Sequence, residues 1–145
     1  MKIARHKWGE GPKIEDLKGK ILTKVEKISD DQIIFEAKSG EKWLMYHNQD
    51  CCENVRVEDI CGDLDDLIGY PLLQAEEVTS HDNPPNIDPE TIKYQGDSYT
   101  WTFYKLATIK GSVTIRWHGE SNGFYSESVD FARLEIEGER DGEST

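Results

Sequence analysis

From Ser98 onward the chain reads SYTWTFYKLATIK, VTIRWHGE and FYSESVDFARLEIE, joined only by GS and SNG. Long runs rich in aromatic and β-branched residues, broken by such short turn-forming links, are the signature of antiparallel hairpins. Tyr99, Trp101 and Phe103 alternate along the first run and Val113, Ile115 and Trp117 along the second, as a period of two requires. These two faces are expected to meet in the core. Asn122-Gly123 reads as the turn between the last two strands, where positive φ is needed.

The first half of the chain repeats the pattern more weakly. KILTKVEKI, IIFEA and KWLMYH, separated by SDDQ and KSGE, place strands near 20–28, 32–38 and 42–47. NVRVED predicts another strand, and YPLLQAEEVTS resumes an extended pattern. Helical signals are few. Pro12 followed by KIEDLKG predicts a two-turn helix, with Glu15 and Asp16 near its positive end and Gly19 as the stop. GDLDDLIG predicts a further turn or two, capped by Asp63 and stopped at Gly69. HDNPPNIDPETIKYQGD holds three of the five prolines and reads as a long loop between two halves of the domain. The fold class expected is therefore α+β, mostly antiparallel sheet of about six to eight strands with one or two short helices. The 145 residues form one domain, with an N-terminal arm at 1–12, the internal loop at 81–97 and a polar tail at 138–145.

Charge narrows the partners. Seventeen basic against 29 acidic side chains leave a net charge of −12, which repels phosphate backbones and anionic lipid headgroups and favours basic proteins and cations. Direct nucleic-acid or membrane binding is not expected. Residues 1–28 are basic, whereas EDICGDLDD crowds Glu58, Asp59, Asp63, Asp65 and Asp66 into nine positions. No EF-hand spacing is present there. In the tail, Glu135, Glu137, Glu139, Asp141 and Glu143 recur at every second residue. Held extended, they form a row of negative charge able to imitate a phosphate backbone; otherwise they are a solvated terminus. These two acidic stretches are the candidate partner-binding residues.

HNQDCCENVRVEDIC contains all three cysteines and one of the four histidines. His47, Cys51, Cys52 and Cys61 are ligand types that zinc prefers, but adjacent Cys51 and Cys52 point to opposite faces in an extended chain. His81, His118, Asp50, Glu53 and Asp63 are candidates for a missing ligand. The competing reading makes the cysteines small buried hydrophobes, and a disulfide fits poorly with a reducing cytosol. A zinc site, structural or hydrolytic, is the alternative function. No phosphate-binding glycine loop, nucleophile elbow or His-Glu-x-x-His helix occurs. His118, Glu120, Ser121, Ser126 and Glu127 gather near one turn, but turn chemistry explains them better than a nucleophile relay. An enzyme is not the favoured expectation.

MYHNQDCCENVRVEDI, GDLDDLIG and WHGESNGFYSESVDF together resemble a family of small uncharacterised proteins carried by phages and prophages of Gram-positive bacteria, over about residues 13–135. The resemblance implies a bacterial cytoplasm and, by analogy of context and charge, an inhibitor of host defence nucleases. The expected function is a non-enzymatic, anti-CRISPR-like protein that binds a basic groove of a host nucleic-acid-binding nuclease.

Overall fold

Alternation of apolar and polar residues builds eight strands, β1 (Leu22–Ser29), β2 (Gln32–Ala37), β3 (Lys42–Tyr46), β4 (Asn54–Cys61), β5 (Gln74–Ser80), β6 (Ser98–Thr108), β7 (Gly111–Ser121) and β8 (Asp130–Leu134). A computed structural model describes residues 11–85, 87–93, 95 and 98–135, together with Ile3. The strands form two four-stranded antiparallel sheets, ordered β1-β2-β3-β8 and β4-β7-β6-β5. Helical structure among the described residues consists of single turns: 3-10 turns at Ile14–Leu17 and Leu64–Leu67, and α1 at Pro89–Ile92. The protein is thus mostly antiparallel β. The first predicted helix shrinks to four residues, because Ile14 and Leu17 alone supply its buried face and Gly19 ends it at φ 88°.

One core joins the sheets. Ile33, Phe35, Trp43 and Met45 from one sheet pack with Val55, Leu106, Ile115 and Trp117 from the other, and the Trp117 indole N–H reaches the Met45 sulfur at 3.2 Å. Burying a side chain of this size removes enough apolar surface to contribute about 1.5–3 kcal/mol. A smaller cluster of Ile34, Leu44 and Leu134 covers the opposite face of the first sheet. No helix among the described residues is long and apolar enough to cross a membrane.

Two strand expectations are corrected. Trp101 stands opposite His118, and Trp117 stands opposite Thr102. Directly paired residues project to the same side of a sheet, so the Tyr99-Trp101-Phe103 face and the Val113-Ile115-Trp117 face lie on opposite sides of the hairpin. Thr102, Tyr104 and Leu106 face inward instead. The last two strands do not form a hairpin either: β8 crosses to pair with β3, and Gly123, at φ 97°, turns the chain into the crossing segment 122–129. That crossing builds the site.

The loop after β5 lies over the outer face of the second sheet rather than joining two halves. The Trp101 indole donates to Asn83 Oδ1 at 2.9 Å, which fixes the Asn83 amide, because an indole N–H only donates. Gln95 Nε2 then donates to that same oxygen at 3.1 Å and to His118 Nε2 at 2.7 Å. His118, with 0% exposure, has its other ring nitrogen, Nδ1, 3.2 Å from Arg56 Nη1 and 3.5 Å from Glu120 Oε2. Burial, followed by the Arg56 charge, holds its pKa below the usual histidine value, consistent with a neutral ring.

Candidate functional site: an acidic cleft between the sheets

β6 and β7 are eleven residues long, β3 and β8 only five. Along β6 the inward positions change character accordingly. Tyr104 and Leu106 belong to the shared core, whereas Ser98, Thr100 and Thr102 present hydroxyls to a cavity of about 420 Å³. β5 adds Glu77 and Thr79 from across the ladder, where they pair with Tyr104 and Thr102. Segment 122–129 closes the other side with Tyr125 and Glu127.

Its close approach depends on Gly119. A Cβ there would lie 2.5 Å from the Glu127 carbonyl oxygen, so no other residue fits without moving the segment. Glu127 accepts hydrogen bonds from Thr100 Oγ1 at 2.8 Å and Ser121 Oγ at 2.5 Å, one on each carboxylate oxygen. Burial opposes its charge, but the hydroxyls of Ser121, Ser98 and Thr100 outweigh that and hold its carboxyl below the usual range. Glu77 Oε2 accepts from the Tyr104 hydroxyl at 2.6 Å. Burial, followed by this bond and the Glu77 charge, pushes the Tyr104 phenol far above its usual value, so Tyr104 remains a donor. Neither Glu77 nor Glu127 has a lysine or arginine ion-pair partner among the described residues. A second chamber, sharing Glu77 and Val129, continues toward Glu15, Lys13 and Asp130.

The cysteine stretch lies behind the crossing segment. Cys51 and Cys52 are joined by a disulfide on an exposed bend, and Cys61 is exposed at the end of β4. The expectation of buried thiols is therefore overturned, since His47 and Glu53 take the interior positions. The disulfide set aside on compartment grounds is present. Glu53 accepts from His47 Nε2 at 2.9 Å, Asp50 N at 2.7 Å and Cys51 N at 3.0 Å. The His47 bond is the largest influence, followed by the Asp50 amide, and the carboxyl is lowered to about 2. His47 Nδ1 bonds the Ser128 carbonyl oxygen at 2.8 Å, so this ring holds the cysteine loop against the cleft wall. The four residues named as zinc ligands are not brought together: His47 is engaged at both nitrogens, two sulfurs are bonded to each other and Cys61 lies apart. Among the described residues no three His, Cys, Asp or Glu side chains are arranged to hold a metal.

The acidic stretch 58–66 is partly structural. Glu58 is the extra residue of a bulge between Val57 and Asp59, and it pairs with Arg116 at 2.5 Å. Asp63 caps the second 3-10 turn by accepting from Asp65 N at 2.9 Å, and Asp66 packs against Gly111. Asp59 and Asp65 remain exposed. Glu135 is half-buried and is not part of an exposed row; Glu137, Glu139, Asp141 and Glu143 lie outside the described residues. Of the imagined relay, Ser121 and Glu127 do meet, but as donor and acceptor in the cleft wall, whereas His118 faces the opposite side of the sheet. The missed cleft residues carried a signal, Ser98-x-Thr100-x-Thr102, a hydroxyl stripe at strand period.

Fold and site define a class: an acidic, antiparallel two-sheet protein that opens at one end onto a carboxylate- and hydroxyl-lined cavity. The chain belongs to the family described as a domain of unknown function (DUF7448), whose sequence profile matches residues 15–131. That span runs from the first 3-10 turn into β8 and includes every residue of the 420 Å³ cavity. No curated protein and no solved structure matches the chain.

Proposed function

We propose that the protein is a non-enzymatic interaction protein that engages a basic partner through its carboxylates. The observation that carries this reading is the pair Glu77 and Glu127, which line one concave site without a lysine or arginine ion-pair partner among the described residues. On a chain of net charge −12, such a cleft focuses negative potential and draws positive groups toward it. A basic groove that ordinarily holds a nucleic-acid backbone, such as that of a CRISPR nuclease, is the partner class this charge fits. The phage context implied by the sequence resemblance supports the same choice.

The test measures association of the purified protein with guide-loaded and guide-free CRISPR nucleases at several salt concentrations. Electrostatic engagement predicts competition with nucleic acid and an association rate that falls steeply as salt rises. A complex whose association ignores salt, and survives reversal of Asp59, Asp65, Glu77 and Glu127, would remove this mechanism.

A further inference from the structure

The cleft carries more information than its sign. Each carboxylate oxygen can accept from two directions. Glu127 accepts from Thr100 on one oxygen and from Ser121 on the other, with the Ser98 hydroxyl as a third donor, and Glu77 accepts on a single oxygen, from Tyr104. The remaining capacity of both carboxylates is unfilled by any lysine or arginine among the described residues. Thr102 adds an independent observation. It is only 2% exposed, it lines the cavity, and its hydroxyl has no hydrogen-bond partner among the described residues. A ligand reaching the cavity floor would give that hydroxyl a partner.

The complement of such a wall must donate several hydrogen bonds, carry positive charge and be slender. About 420 Å³ lies near the lower end of the small-ligand range; it admits one side chain and no folded element. An ammonium offers three donors around a point, whereas a guanidinium offers five in a planar fork suited to carboxylates. We infer that the cleft bounded by Glu77, Thr102 and Glu127 is a binding site for a guanidinium, the side chain of an arginine on the surface of the partner. The choice of a protein-borne arginine rests on the reading of the chain as an interaction protein; the preference for a guanidinium rests on the cleft alone. Phe124, 89% exposed, lies in sequence between the lining residues Gly123 and Tyr125.

The full chain, labelled for NMR, is titrated with Nα-acetylarginine amide, with the lysine analogue and with the uncharged citrulline analogue. The expected result is saturable shifts confined to amides of residues 77–79, 98–102 and 123–129, at least tenfold weaker saturation by the lysine analogue and none by citrulline. Glu77→Gln, which keeps an acceptor for Tyr104, and Thr102→Val, which keeps the side-chain shape, should each weaken binding at least threefold while leaving the remaining spectrum in place. Shifts scattered over the acidic surface, equal binding of citrulline or equal binding of lysine would each overturn the site as a guanidinium pocket. The wild-type titration decides this even if a variant fails to fold. Salt-sensitive binding to a basic nuclease with no response in these amides would refute the pocket and leave the interaction reading standing; a saturable arginine response with no basic partner would do the reverse.

Discussion

At the scale of single residues, the decisive feature is a carboxylate inside. Glu53 is buried, and it stays charged because His47 and two backbone amides of the same bend point at it. Its carboxyl is lowered from an ordinary 4.5 to about 2. A depressed carboxylate contributes stability that is fully present above its unfolded value and disappears as pH falls through its folded value. The wild type should therefore lose stability between about pH 4.5 and 2, and Glu53→Gln should flatten that part of the profile while lowering stability at pH 7. Denaturant titrations of both proteins at stepped pH check this; parallel profiles would show that Glu53 is not the group that titrates. The neighbouring sulfurs give a simpler count. With Cys51 and Cys52 bonded and Cys61 free, unfolding without reductant followed by alkylation should add one adduct by mass and reduction first should add three. Three adducts without reductant would show the pair to be thiols.

At the scale of elements, the crossing segment 122–129 is where sequence reasoning and structure part. Six of the eight strands lie close to where alternation and turn residues put them, because each is specified by its own hydrophobic period and its own flanking breakers. Local pattern has no access to which sheet a strand joins, so the sequence points to a β7–β8 hairpin, whereas β8 pairs with β3. The same limit hid the site. The Ser98-Thr100-Thr102 stripe is legible as a period-two pattern, but the aromatic stripe one residue out of phase is the stronger hydrophobic signal, and its Trp101 lies under Asn83 of the loop after β5. His47 and Glu53, six residues apart across a bend, follow no helix or strand period. Two substitutions separate these elements. Gly119→Ala forces its Cβ onto the Glu127 carbonyl, so segment 122–129 must shift. A loss of about 1–3 kcal/mol is expected, with weakened arginine binding. Asn83→Ala leaves the Trp101 indole N–H without its acceptor beneath the loop and should destabilise by about 1–3 kcal/mol. The cleft, on the other face of the sheet, should keep its ligand response. If Asn83→Ala abolished that response as fully as Gly119→Ala, the two faces would not be independent.

At the scale of the whole molecule, salt acts on two quantities with opposite signs. A net charge of −12 on 145 residues repels itself in the folded state more than in the expanded one. The described ion pairs offset little of this: Lys24–Glu26 and Lys27–Asp30 are exposed, and exposed pairs contribute about 0–1 kcal/mol each. Between 0.1 M and 1 M salt the screening length falls from about 10 Å to about 3 Å. Self-repulsion should fade, and the melting temperature should rise by on the order of a few degrees. Attraction of a cation into the cleft fades over the same range, so arginine-analogue binding should weaken as the fold strengthens. Thermal melts and NMR titrations at matched sodium chloride concentrations measure both. A melting temperature that falls with salt would mean that pairs such as Arg116–Glu58, at 2.5 Å and mostly sheltered from water, outweigh the net charge, and the acidic surface would then act chiefly within the fold. Opposite slopes would place the excess negative charge where the proposed function needs it, unsatisfied until a basic partner arrives.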